Sequence, residues 1–322
     1  MVPYYSDAMR IIDEVSKVVI GKRAIIVKVL TAILAKGHIL LEDNPGVGKT
    51  TLAMAFAKAM DLVHHRLQFT PDVMPTDVCG YHILNKDGDG YLYKPGAVMC
   101  NLFLADEINR TSPKTQSALL EVMEEGKVTV DAVTREVPKP FVVIATQNPI
   151  GSIGTQMLPE SQIDRFMIKL SMGYPDMKSE IGIMKERQNS NPLDYVVQVV
   201  NHEDILTMQN MVEEVFIHDS IYEYIALLVR QTRENPLVEL GVSPRGSIAL
   251  MNMVKATAFL NHRDYVIPAD VQHNFKDVAA HRMILKPKAR INNVTVDNIL
   301  DDILRNVKPP RIISKESRAL FN

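Results

Sequence analysis

The stretch Gly37-His-Ile-Leu-Leu-Glu-Asp-Asn-Pro-Gly-Val-Gly-Lys-Thr-Thr-Leu-Ala53 constrains this 322-residue chain more than any other. It reads as a short apolar strand, a glycine-containing turn, and a helix opening on Lys49 and Thr50. Backbone N–H groups at a helix start lack intrahelical partners, and the helix dipole favours an anion beside them. The layout is that of a phosphate-binding loop, in which Lys49 reaches the β- and γ-phosphates and the Thr50 hydroxyl ligates Mg²⁺. One position departs: the full pattern has Gly where Asp43 stands. The strand before the loop and the apolar helix after it carry the reading. The alternative is an ordinary strand, turn and helix with an exposed lysine.

The chain is long enough for two domains or one large one, and 46% hydrophobic with 23% charged residues is the balance of a soluble globular protein. A net charge of −2 argues against a surface that seeks nucleic acid. Cys79 and Cys100 are the only cysteines, which suits a reducing compartment and no disulfide framework. The adjacent His64 and His65 have no ligand-spaced partner and read as strand residues. The start, Met1-Val-Pro-Tyr-Tyr-Ser-Asp7, lacks a basic, then apolar, leader pattern. The longest apolar region, Ala24 to Leu41, is interrupted by Lys28, Lys36 and His38, so no membrane insertion is expected. A cytoplasmic protein is the expectation.

Residues 7–36 read as two helices around a Val18–Gly21 turn. Four further strand candidates follow the first: His65–Phe69, Leu102–Ala105, Phe141–Ala145 and Phe166–Leu170. Helical segments at Thr51–Met60 and Lys114–Glu125 separate several of them. Alternation of this kind predicts an α/β fold, a parallel sheet sandwiched by helices. After Tyr174-Pro175 the pattern changes to helices at 177–189, 203–214, 219–234, 244–261 and 268–283. The expected domains are therefore an α/β core over 1–175 and an all-helical domain over 176–322. Two hairpin-like inserts interrupt the core, at about 77–96 around an Asp-Gly turn and at 126–138. They are either surface decoration or partner-facing elements.

Asn101-Leu-Phe-Leu-Ala-Asp106-Glu107 is an apolar strand ending in two carboxylates. In an open parallel sheet, ligands bind at the carboxyl ends of strands. Asp106 would face Mg²⁺ held at Thr50, and Glu107 would polarise the water attacking a γ-phosphate. The alternative is a solvated turn. Val143-Ile-Ala-Thr-Gln-Asn148-Pro149 is another strand ending in polar residues, with Asn148 placed to hold the water or the γ-phosphate.

With these residues in view, the chain resembles the MoxR family of AAA+ ATPases. The resemblance rests on Glu42–Thr50, Asp106-Glu-Ile-Asn-Arg110, Pro113–Glu125, Ala145-Thr-Gln-Asn-Pro149 and Leu158-Pro-Glu-Ser-Gln-Ile-Asp-Arg-Phe166. It runs from about Val18 to Arg245 and into the helical part. It implies a P-loop NTPase core with a C-terminal helical lid, using ATP and Mg²⁺. It further implies that Pro45, Gly46, Val47, Gly48, Lys49, Thr50 and Thr51 form Walker A, with Asp106 and Glu107 as Walker B. Asn148 matches sensor 1, Arg165 is similar to an arginine finger serving the neighbouring subunit, and Arg245 to sensor 2. Ile20 and Gly21 resemble the segment that contacts adenine. An arginine supplied in trans implies a homo-oligomeric ring, six subunits being expected. Such proteins resemble chaperones that mature partner complexes, often with a separate protein bearing a von Willebrand factor A domain.

Two other functions compete. A nucleic-acid motor would need basic inserts, but Lys86, Lys94, Lys127 and Arg135 are offset by Asp87, Asp89, Asp131 and Glu136. A nucleotide-binding switch with low turnover would not need Glu107.

Overall fold

A computed structural model describes residues 4–44, 46–85, 90–148, 158–186 and 191–311. Along the chain, α1 (Tyr5–Val18) and α2 (Arg23–Leu34) precede β1 (Ile39–Glu42), α3 (Lys49–Ala59), β2 (His64–Gln68) and a short α4 (Pro75–Cys79). A hairpin of β3 (Gly80–Leu84) and β4 (Tyr91–Pro95) comes next, then β5 (Leu102–Asp106) and α5 (Pro113–Glu125). A second hairpin of β6 (Lys127–Val130) and β7 (Val133–Glu136) leads to β8 (Val142–Gln147), α6 (Glu160–Ile163), β9 (Ile168–Leu170), α7 (Met177–Glu186) and α8 (His202–Glu214).

Five strands form one sheet in the order β2-β5-β8-β1-β9, every pairing parallel. This is the expected α/β core. β5 and β8 are buried at every residue, as apolar strands covered on both faces must be. β2 is an edge strand, and His64, His65, Arg66 and Gln68 on it are exposed. Pairing puts Gln68 beside Asp106 and Glu42 beside Gln147, so the polar ends of four strands lie along one rim. Below them the core packs Leu40, Phe69, Phe103, Leu119 and Phe166, with Phe69 and Phe103 edge to face at 6.5 Å. His38 is buried there too. Its Nε2 lies 2.9 Å from the Met123 carbonyl and its Nδ1 accepts from the Val143 N–H at 3.0 Å. Burial pushes its imidazole down to about 4, so the ring is neutral.

Local signals set the ends of α5. Ser112 accepts from the Thr115 N–H at 3.3 Å, Pro113 occupies the first helical position, and Gly126 ends the helix at φ 64°. Both inserts are hairpins. The second turns on Asp131 and Ala132 at φ 49° and 62°, a left-handed pair that matches strand twist. The tip of the first, residues 86–89, lies outside the described residues. The hairpins touch: His82 Nδ1 pairs with Asp131 Oδ2 at 2.7 Å, and the Arg135 guanidinium lies 3.9 Å from the Tyr93 ring centre.

Packing divides the chain into a unit running to Asn210 and one from Met211. The composition change at Tyr174-Pro175 falls where the sheet gives way to helices, ahead of that division. The second unit holds α9 (Asp219–Glu234), β10 (Val238–Leu240), α10 (Pro244–Leu260), α11 (Pro268–Ala279), β11 (Ile284–Leu285), α12 (Pro287–Ile291) and α13 (Val296–Asn306). Helices dominate it, as expected, with one addition to the all-helical reading: β10 and β11 pair antiparallel. Both are too short to stand out in the sequence. Among the described residues no helix is long and apolar enough to cross a membrane.

Candidate functional site

The loop between β1 and α3 carries Gly46 at φ 87° and Gly48 at φ 98°. Those left-handed angles suit glycine, and no neighbour would meet a Cβ at Gly46. The loop therefore folds tightly while leaving its face open. Lys49 and Thr50 then begin α3. A cavity of about 350 Å³ opens over this helix start, lined by Gly46, Gly48, Lys49, Thr50 and Thr51 on one side. Arg66, Gln68, Asp106, Glu107 and Asn148 line the other side. Thus the loop and the ends of β5 and β8, predicted separately, meet in one place. Pro45 lies outside the described residues.

Lys49 is buried and folds back, donating from Nζ to the Asp43 carbonyl at 2.5 Å and the Asn44 carbonyl at 3.3 Å. Burial pushes its ammonium down, against the raising charges of Asp43, Asp106 and Glu107. Asp43, the departure from the pattern, has structural work of its own. Its carboxylate accepts from Ser171 Oγ at 2.9 Å, from the Gly173 N–H at 3.2 Å and from the Met172 N–H. It thereby fastens the loop to the segment after β9.

The carboxylates are framed by neighbours. Thr146 Oγ1 donates to Asp106 Oδ1 at 2.6 Å and accepts from the Glu107 N–H at 2.9 Å. Arg66 donates to Asp106 Oδ2 from Nη2 at 2.7 Å and from Nε at 3.2 Å. Glu107 sits in left-handed backbone at φ 57°. Asn148 Nδ2 donates to its Oε1 at 3.0 Å and Arg110 Nη1 to its Oε2 at 2.8 Å. Burial would raise the Glu107 carboxyl, but the Arg110 and Asn148 hydrogen bonds and the Arg110 charge outweigh it and hold it below its usual range. Asn109 brackets the Asn148 backbone, donating to its carbonyl at 3.3 Å and accepting from its N–H at 3.4 Å. Gln116 Nε2 holds the intervening turn through the Ile108 and Thr111 carbonyls at 3.1 and 3.2 Å.

A second cavity of about 380 Å³ shares Gly46, Gly48 and Thr51 with the first. Ile20, Val47, Met172, Tyr174, Ile183 and Met184 line it, giving an apolar end to a polar site. Gly21 stands beside it at φ 73°, with the Ser179 hydroxyl where a Cβ would project. Arg165 is not among the described residues that line either cavity. Its Nη1 donates to the Leu120 carbonyl at 2.7 Å and pairs with Glu124 at 3.2 Å. Arg245 belongs to the second unit, exposed in the first turn of α10 behind the Ser243 cap.

Sequence reasoning missed Arg66, Gln68, Arg110 and Thr146. For Arg66 and Gln68 a signal existed: polar residues two apart near the end of a strand share one face. Thr146 and Arg110 stand two and three positions from Asn148 and Glu107, which were already singled out. The donor set fits Mg²⁺: a hydroxyl and a carboxylate are the hard oxygen ligands it takes, and Thr50 and Asp106 line the same cavity.

Residues 38–168 match the model of the "ATPase family associated with various cellular activities (AAA)", and residues 230–303 match the AAA lid domain. Chaperone MoxR1 of Mycobacterium tuberculosis is 36% identical, with 94% of this chain and 82% of that one covered. YeaC of Bacillus subtilis is 49% identical over 93% of both chains. A solved structure of a Cytophaga hutchinsonii protein superimposes with a TM-score of 0.88 at 40% identity, covering 96% of each.

Proposed function

Since the chain belongs to the MoxR family of AAA+ ATPases, with a nucleotide-binding P-loop core and a helical lid, we propose that it hydrolyses Mg²⁺-bound ATP to remodel partner protein complexes. One observation carries the reading: Lys49 and Thr50 line the same cavity as Asp106, Glu107 and Asn148. In this reading the loop N–H groups and Lys49 grip the phosphates, while Ile20 and its neighbours enclose the base. Thr50 and Asp106 hold the metal, which when bound neutralises phosphate charge. Asn148 orients a water and Glu107 accepts its proton as the water oxygen attacks the γ-phosphorus and the bond to the ADP oxygen breaks. Both Glu107 oxygens are engaged, so that water must share or replace the Asn148 or Arg110 bond.

Arg165, in the turn that follows α6 and within the Asp-Arg-Phe motif, serves the site of the next subunit, and Arg245 acts from the lid. Completion of a site in trans calls for a ring, six being the expected number. The chaperone name of its mycobacterial relative supports a protein client. A partner with a von Willebrand factor A domain and a cytoplasmic setting belong to the same proposal. So does the division into a nucleotide-binding core over 1–175 and a lid over 176–322.

The test is steady-state ATP hydrolysis against protein concentration for wild type, Glu107→Gln and Arg165→Ala. Specific activity should rise with concentration, and both variants should lose it, Arg165→Ala by about 10³-fold or more. Binding of ATP without turnover at any concentration would overturn the hydrolytic reading. Concentration-independent activity that survives Arg165→Ala would overturn the shared site.

A further inference from the structure

Asp106 has both carboxylate oxygens committed. Oδ1 is taken by Thr146 and Oδ2 by two nitrogens of Arg66. Strand register explains the reach. Arg66 pairs with Leu104 and Gln68 with Asp106, so these four side chains share one face of two parallel strands. The guanidinium passes Gln68, whose Oε1 accepts from Nη2 at 3.3 Å, and ends in the phosphate-side cavity. The pair is lopsided: the Arg66 side chain is 51% exposed and that of Asp106 is 11% exposed. An arginine half in solvent gives up such a partner at small cost. The oxygen it holds is the one Thr146 leaves for a metal.

We propose that Arg66 is a positioning residue that competes with Mg²⁺ for Asp106, and that its guanidinium turns to the phosphate chain when the metal–nucleotide arrives. This rests on the reading of Asp106 given above. Two cations on one carboxylate oxygen repel, so one must yield. Once displaced, Arg66 remains tethered on β2 beside a cavity that holds phosphate. Phosphate oxygens are the acceptors a planar guanidinium fork matches best. In the metal-free protein Arg66 orients Asp106; in the loaded protein it adds positive charge where the phosphates crowd.

The experiment measures equilibrium binding of a fluorescent, slowly hydrolysed ATP analogue to the full chain, for wild type, Arg66→Gln and Arg66→Lys. Binding is measured in excess chelator and then across a Mg²⁺ titration. Competition lowers the Mg²⁺ concentration at half effect by about two- to fivefold in Arg66→Gln, the size expected for losing one partly exposed ion pair. At saturating Mg²⁺ the same variant binds the analogue more weakly than wild type, and Arg66→Lys, which keeps charge without the fork, falls between. A mere strut predicts the opposite: losing it loosens Asp106, and the Mg²⁺ requirement stays or rises. That result overturns the proposal while leaving nucleotide binding intact. Failure of wild type to bind the analogue under either condition overturns the site reading itself, and this inference with it. Should Arg66→Gln fold poorly, the direction of the shift in Arg66→Lys decides the matter.

Discussion

Replacing Asp43 by Gly restores the common phosphate-loop pattern, and the structure says it will damage the protein. The Asp43 carboxylate is buried and accepts from one hydroxyl and two backbone N–H groups of residues 171–173. A hydrogen bond to a charged group contributes about 1.5–3 kcal/mol, and a buried donor left without a partner costs about 1–3 kcal/mol. Met172 is 4% exposed, so its N–H gains little water in exchange. Glycine also adds freedom to the unfolded chain, about 0.4–1 kcal/mol relative to a residue with a side chain. Relaxation offsets part of the sum, leaving about 3–5 kcal/mol. For a unit of this size that is roughly a 10 °C fall in the melting temperature. Melting followed by circular dichroism suits a chain with no tryptophan. The same segment lines the apolar cavity through Met172 and Tyr174, so affinity for nucleotide should fall with stability. Asp43→Asn, which keeps an acceptor and loses the charge, should lie between. If Asp43→Gly melts within about 2 °C of wild type and binds nucleotide as well, the fastening role is wrong.

Other outcomes follow from the same geometry. His38 titrates at about 4 in the fold against 6.5 unfolded, so the unfolded chain binds the extra proton between those values. Stability from this group is present above pH 6.5 and lost as pH falls towards 4, amounting to about 2 kcal/mol by pH 5. Urea unfolding of wild type and His38→Gln between pH 5 and 7.5 should show that slope only in wild type. Arg110→Ala removes a charged donor that holds the Glu107 carboxyl low, so the acid limb of the pH–rate profile should move to higher pH; an unmoved limb would exclude Glu107 as its source. Asp131→Ala cuts the His82 contact between the hairpins, and amide exchange in β3 and β4 should quicken by up to about fivefold, an exposed pair being worth little. Unchanged exchange would mean the hairpins are held together by something else.

Most of the sheet was legible because β1, β5 and β8 are apolar runs bounded by polar residues, the mark of strands buried on both faces. The loop glycines, Lys49 and the two carboxylates were legible because short-range chemistry dictates them. α4 and the β10–β11 pair were not, since a few residues carry no period. Asp43 stands in the sequence only as a departure from the pattern, because its partners lie 128 to 130 residues further on. Arg66 was silent for a similar reason. Its value depends on β2 lying beside β5, and strand order is set by packing of the whole sheet rather than by any local pattern.

Glu107 keeps a left-handed backbone that a residue with a side chain resists by about 1 kcal/mol or more. It does not hold that posture unaided. Thr146 pins its amide, while Asn109 and Gln116 stake down the turn that follows. The arrangement therefore fails safe. Freeing those stakes, whether by local unfolding or by an ill-fitting guest, would let the backbone swing to its preferred side and carry the carboxylate off its mark. A damaged copy of this chain should fall silent rather than burn nucleotide to no purpose.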